Sequence, residues 1–120
     1  MDRRQRDSLL LERYQAHYHS LTAQLTEIGF IWGGSVQSQR LTCGTPGCAC
    51  HRDPEARHGP YIYWTSKVAG RTVSRLLRSP EAELLSEWVQ NRRQLDRVVR
   101  QMKKLSQRAV KVVLRLREQG

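Results

Sequence analysis

Apolar residues between 8 and 28 fall at Leu11, Tyr14, Tyr18, Leu21, Leu25 and Ile28, in steps of 3, 4, 3, 4 and 3. That spacing keeps them on one face of a helix, since residues three and four apart share a side. The pattern predicts an amphipathic helix over 8–28 with Ser8 as N-cap and Gly29 as its stop. His17 and His19 fall off the seam, on the solvated side. Phe30 to Gly34 reads as a hydrophobic linker with a flexible Gly-Gly end.

The periodicity then shortens. Val36 and Leu41 among polar neighbours suit an edge strand over 35–42. Residues 61–68 and 72–77 are β-branched and aromatic runs flanking Ala69-Gly70-Arg71, a hairpin signal. Strand alternation puts Tyr61, Tyr63, Thr65 and Lys67 on one face. Ile62, Trp64 and Val68 are expected in the core, leaving Tyr61, Tyr63 and Lys67 on an open face with Arg71, Arg75 and Arg78 nearby.

A second helical pattern follows over 80–118, with Ser79 as N-cap, Pro80 in the first turn and acids behind it. Its seam is Leu84, Trp88, Asn91, Leu95, Val98, Met102, Leu105, Ala109, Val112 and Leu116, alternating steps of 4 and 3 as in a coiled coil. Such a helix is about 60 Å long, more than a small domain is wide. The seam therefore needs a partner. A second copy is expected on Leu84, Trp88, Leu95, Val98, Met102, Leu105, Val112 and Leu116, with Asn91 setting register; an intramolecular helical hairpin is the alternative. The expected fold is α+β: an N-terminal helix, a small three-stranded antiparallel sheet, and a long C-terminal helix that dimerises, all in one domain of 120 residues.

Composition sharpens this picture at two points. Hydrophobic residues make up only 38% of the chain, thin for a compact core, so a small fold of this kind gains from a staple. All three cysteines, Cys43, Cys48 and Cys50, lie in one Gly/Pro-rich turn, closely followed by His51 and His58. Thiolates and imidazoles so gathered are what tetrahedral Zn2+ requires. The expected ligands are Cys43, Cys48, Cys50 and His58 in a zinc knuckle. His51 competes for the fourth place, but it directly follows Cys50 and would point away from it. An odd thiol count argues against a disulfide framework, and a single Cys/His nucleophile would leave two thiols unexplained.

The second point is charge. Lys and Arg total 21 against 11 Asp and Glu, a net of +10. Residues 1–40, 41–79 and 80–120 carry +1, +4 and +5, and Asp96 is the single acid between Arg92 and Arg117. A surface of one sign attracts polyanions, nucleic acid first. The candidate contacts are Tyr61, Tyr63, Lys67, Arg71, Arg75 and Arg78 on the sheet, and Arg92, Arg93, Arg97, Arg100, Lys103 and Lys104 on the long helix. Only Asp53 and Glu55 stand near the cysteines and no catalytic order or phosphate loop is evident, so a binding protein is expected, not an enzyme. No apolar run approaches a membrane span, and the charged start lacks a secretory core, so a cytoplasmic protein is expected.

Certain residues also carry a resemblance. They are Gly34-Ser35, Cys43-Gly44, Pro46-Gly47-Cys48, Cys50-His51, His58-Gly59-Pro60-Tyr61, Tyr63-Trp64, Gly70, Thr72-Val73-Ser74-Arg75, Glu87-Trp88, Asn91-Arg92-Arg93 and Leu95. With these the chain, over roughly 21–105, resembles an uncharacterised family of small bacterial and archaeal proteins known as a domain of unknown function. The resemblance implies no activity or catalytic residue. It does imply a setting in mobile elements and so DNA or RNA transactions. The first expectation is a zinc-stabilised dimeric nucleic-acid-binding protein, DNA favoured over RNA, acting as a regulator or as an accessory to a recombinase, transposase or phage protein. A protein-interaction adaptor, its long helix docking a partner and its basic face meeting an acidic protein, is the competing expectation.

Overall fold

The computed structural model describes residues 1–119. The element order is α1 (Arg3–Leu25), β1 (Ser35–Leu41), short 3-10 turns at Ala49–His51 and Pro54–Ala56, β2 (His58–Val68), β3 (Arg71–Leu77) and α2 (Ser79–Gln119). The fold is α+β as expected, and the chain divides into two compact units. Residues 1–29 with 93–120 form one and residues 30–92 the other.

In the first unit, α1 and the later turns of α2 make an antiparallel helical hairpin. Its core is Leu21, Val98 and Leu105, with Tyr14, Tyr18, Leu25 and Met102 packed around it. Val112 is buried as well. The helical seams are as the spacing predicts, but the occupant of the second seam is different. Val98, Met102, Leu105 and Val112, expected to meet a second copy, are covered by this chain itself. The physical reason is that the seam of α1 itself, through Tyr14, Tyr18, Leu21 and Leu25, packs on this stretch of α2, while the earlier start of α1 extends the pairing to Asp7 beside Arg115 and Gln119. Asp2, not Ser8, is the N-cap: its side chain accepts from the Gln5 N–H while the Gln5 side chain accepts from the Asp2 N–H, a reciprocal capping box. The helix stops at Leu25 with Thr26 as C-cap, short of Gly29. Leu95 and Leu116 are half-buried.

The second unit is built on a three-stranded antiparallel sheet in the order β1-β2-β3. The hairpin turn is shorter than expected. Ala69 and Gly70 alone make it, with φ of 50° and 79°, and Arg71 is already paired with Val68. Two consecutive left-handed residues give the turn twist that hairpins prefer. Leu77 at the end of β3 and Ala82 and Val89 in the first turns of α2 are buried, and Leu77, paired with Ile62, lies on the Trp64 side of the sheet. Ile62 and Trp64 are half-buried as expected, but Val68 is 55% exposed, because it sits beside the turn where no element covers it.

The Phe30–Gly34 segment, expected to be a linker with a flexible Gly-Gly end, is tied down. Trp88 accepts from the Trp32 N–H (3.1 Å), and the Asn91 amide donates to the Phe30 carbonyl (2.8 Å). Arg92 donates to the carbonyls of Trp32 (3.1 Å) and Gly34 (3.0 Å). Phe30 and Trp88 rings lie 5.1 Å apart, and Trp32 and Trp64 rings 6.1 Å. Asn91 and Trp88, placed on a dimer seam by their spacing, thus serve an irregular segment of their own unit. Leu84, on the same seam, is 46% exposed. The helix begins at Ser79, with the Glu81 carboxylate accepting from the Arg78 backbone N–H (3.2 Å), so Ser79 is not the cap. Gly120 lies outside the described residues.

Candidate metal centre

The knuckle joins β1 to β2. At its start a β-bulge between Gln39 and Leu41 turns the end of β1, and Leu41 then pairs with His58. The close approach needs a glycine: Gly59 has φ of 119°, and a Cβ there would meet the Gln39 carbonyl at 2.9 Å. Thr45-Pro46-Gly47-Cys48 is a tight turn closed by Cys48 N–H to the Thr45 carbonyl (3.3 Å). Pro46 and a left-handed Gly47, at φ of 82°, fill the two central places of a type II turn. The 3-10 turn that follows presents Cys50 inward. Arg40 on β1 donates to the carbonyls of Glu55 (3.0 Å) and Arg57 (2.8 Å), and Asp53 caps the Glu55 N–H (3.0 Å), which fixes the return to His58.

The result is one cluster. The donor atoms of Cys43, Cys48, Cys50 and His58 all lie within 4.8 Å of one another. Cys43 Sγ is 3.6 Å from Cys50 Sγ, and Cys48 Sγ is 3.6 Å from His58 Nε2. Donors about 2.3 Å from a central ion at tetrahedral corners stand about 3.7 Å apart. The cluster therefore fits a metal ion by distance and by donor chemistry. His51 is not part of it. Its Nε2 lies 3.1 Å from the Thr45 carbonyl, so it braces the turn that carries Cys48.

The electrostatics favour the thiolate at Cys43 and Cys48. A hydrogen bond from the Thr45 backbone, then one from Cys50, lowers the Cys43 thiol to about 6. Cys48 is lowered by the Cys50 backbone and by His58. Cys50 receives the Cys43 N–H at 3.3 Å, which acts to lower it, but burial and the two neighbouring thiols together push it up. His58 is raised by its bonds to Cys48 and Cys43. Three crowded thiols and an imidazole hold protons only in competition with each other, and a cation in their midst releases them.

The surface residues divide differently from expectation. Cross-strand partners share a face, so the register puts Trp64 with Arg75 and Val68 with Arg71, whereas Tyr63 faces out beside Leu76. Arg71 and Arg75 therefore lie on the side of the sheet opposite Tyr61, Tyr63 and Lys67. The two-residue turn is the cause, since a one-residue change of register reverses every side chain. Arg75 and Arg78 meet Glu81 at 3.6 Å and 3.2 Å. Arg92 is engaged by the carbonyls of its own unit. Sequence reading missed the roles of Arg40, Asn91 and Arg92, because a side chain that ties down backbone carbonyls leaves no periodic trace.

On α2 the basic residues form a line. Arg93, Arg97, Arg100, Lys104, Arg108, Lys111 and Arg115 follow at steps of 4, 3, 4, 4, 3 and 4, inside an arc of about 80°. All but Arg115 are exposed. Lys103 lies off this line, roughly a quarter turn away.

A family model for a domain of unknown function, DUF6788, matches residues 3–87. The chain belongs to that family. The DUF6788 match includes the whole knuckle and sheet and ends before Arg93, so it starts and stops earlier than the motifs suggested. No curated protein and no solved structure matches the chain. The family's description names no activity, and none of the helices among the described residues is long and apolar enough to cross a membrane.

Proposed function

We propose that this is a zinc-stabilised nucleic-acid-binding protein, with DNA the favoured polymer and the helical hairpin as its phosphate-binding element. The observation that carries the reading is the line from Arg93 to Lys111. Like charges three and four residues apart repel and weaken a helix, so six exposed cations in succession are costly unless a polyanion neutralises them. The line runs about 27 Å along the helix, enough to follow several phosphates, and Asp96 is the single acid between Arg92 and Arg117.

Zinc is the metal that best suits three thiolates and one imidazole. Four protein donors close its coordination shell and leave no place for a reactive water, so the role is structural. Cys43, Cys48, Cys50 and His58 would hold the ion, and the ion supplies cross-linking to a segment with little buried apolar surface.

The test is fluorescence anisotropy with labelled duplex DNA, single-stranded DNA and RNA across a range of salt. Affinity should fall steeply with salt. The variant Arg97→Glu/Arg100→Glu/Lys104→Glu should flatten the log–log slope by roughly 2–3. Unchanged affinity and slope in that variant would refute the hairpin as the binding element.

A further inference from the structure

The sheet has one face that the chain leaves open. Across its rows stand Gln39 beside Tyr61, Gln37 beside Tyr63 and Leu76, Ser35 beside Thr65 and Ser74, and Lys67 beside Thr72. The Ser35 and Thr65 hydroxyls meet at 3.1 Å, which confirms that these side chains share the face. Gln37, Gln39, Lys67, Thr72 and Ser74 are exposed, Tyr61 and Leu76 are 39% and 57% exposed, and Tyr63 is half-buried.

Three properties of this face stand out physically. It carries no acid and one cation, so it does not repel phosphate. Its two rings sit two residues apart on one strand, about 7 Å, each next to a glutamine on the neighbouring strand. The Gln37 and Gln39 amides and the Tyr61 and Tyr63 hydroxyls make no side-chain hydrogen bond among the described residues. Rings stack on base faces whatever the base, and an amide can donate to and accept from a base edge at once. Arg71 and Arg75, which would give a face for duplex phosphates, point away from it.

We propose that this face holds an unpaired stretch of nucleic acid, with Tyr61 and Tyr63 stacking on successive bases and Gln37 and Gln39 hydrogen-bonding their edges. Lys67 meets the backbone at the end of the row. A duplex keeps its base faces inside the stack, so the occupant is single-stranded or locally opened. The inference rests on the nucleic-acid reading above and assigns the bases to the sheet where that reading assigns phosphates to the hairpin.

The test uses the full chain and two labelled oligomers of equal length, an oligothymidylate and an abasic deoxyribose-phosphate chain that carries the same phosphates without bases. The intact protein should bind the base-bearing oligomer at least about tenfold tighter, the scale of one or more stacking contacts. Tyr61→Leu/Tyr63→Leu should remove that difference while leaving affinity for the abasic oligomer in place, and Gln37→Ala should narrow the difference among homopolymers of different base. Equal affinity of the intact protein for the two oligomers overturns the base-stacking face and returns it to a protein partner. So does a base preference that survives the double variant. Binding to neither oligomer overturns the nucleic-acid reading as a whole. Should the double variant fail to fold, the comparison of the two oligomers with the intact protein still decides.

Discussion

The two units solve the same problem, how a short and highly charged segment stays folded, by different means. The helical hairpin uses periodic burial: Leu21, Val98, Leu105 and Val112 are each at most 4% exposed, and the remaining seam residues pack around them. The knuckle has no such core. From Thr42 to His58 only Cys50 is buried, and Cys50 is one of the four residues close enough to hold a metal ion. Periodic burial extends with each helical turn, whereas a cluster of four donors is all or none, because losing one leaves the others crowded and charged. The first unit should thus weaken in proportion to what is removed, and the knuckle of the second should fail at once.

Metal removal is the sharpest way to break this comparison and has the largest expected effect. Structural zinc sites contribute on the order of 10 kcal/mol of apparent binding free energy to the fold they close. Treating the protein with a strong chelator, or replacing Cys50 with alanine, should strip hydrogen-exchange protection from β1, the knuckle and β2. Amides around Leu21 and Leu105 should stay protected. If the knuckle amides keep their protection without metal, backbone ties such as Arg40 to Glu55 and Arg57 suffice alone, and the staple is not needed.

The same contrast explains what was legible in advance. Helical seams are written in every third or fourth residue, so Tyr14, Tyr18, Leu21, Val98 and Leu105 were recognisable as inward-facing. Thiols are rare and their clustering is local, so the metal quartet was recognisable too, and the choice between His51 and His58 fell the way the turn geometry required. Register was not legible. Whether Ala69-Gly70 or Ala69-Gly70-Arg71 makes the turn changes the side on which Arg71 and Arg75 lie, and the spacing of apolar residues in a strand with Arg on both sides does not decide it. Nor does periodicity reveal who fills a seam. A heptad looks alike whether α1 or another molecule lies against Val98, and the chain-internal packing of Leu21 with Val98 and Leu105 is a long-range contact that spacing does not encode.

A smaller effect tests the hairpin in the same terms. Leu105 is 4% exposed within the Leu21, Val98 and Leu105 cluster. Leu105→Ala should destabilise the first unit by about 2–5 kcal/mol, the cost of lost burial plus an unfilled cavity. Chemical denaturation followed by helical circular dichroism measures it, while metal content should stay at one ion per chain. A loss of metal in this variant would show that the units do not fail separately.

The smallest effect concerns Asp7, the one charged residue buried in the hairpin among the described residues. Asp7 is 6% exposed, and its carboxylate accepts from Arg115 (3.0 and 3.3 Å) and from Gln119 (3.2 Å). The hydrogen bond from Arg115 is the main reason its carboxyl lies below the usual range; burial opposes this, and Gln119 adds to it. The same contact raises Arg115. A carboxyl whose pKa is depressed in the folded state stabilises above its unfolded pKa, about 3.9, and that stabilisation is lost as pH falls through the lower folded value. Asp7→Asn keeps the shape of the contact without the charge. Its melting temperature should therefore fall below that of the parent protein at pH 7, and the gap should close as pH is lowered beyond about 4. The Arg115 side chain is only partly covered, so added salt should narrow the gap at pH 7 as well. A gap that is the same at pH 7 and at pH 2 would mean that Asp7 acts through packing alone, and that the hairpin relies on periodic burial from end to end.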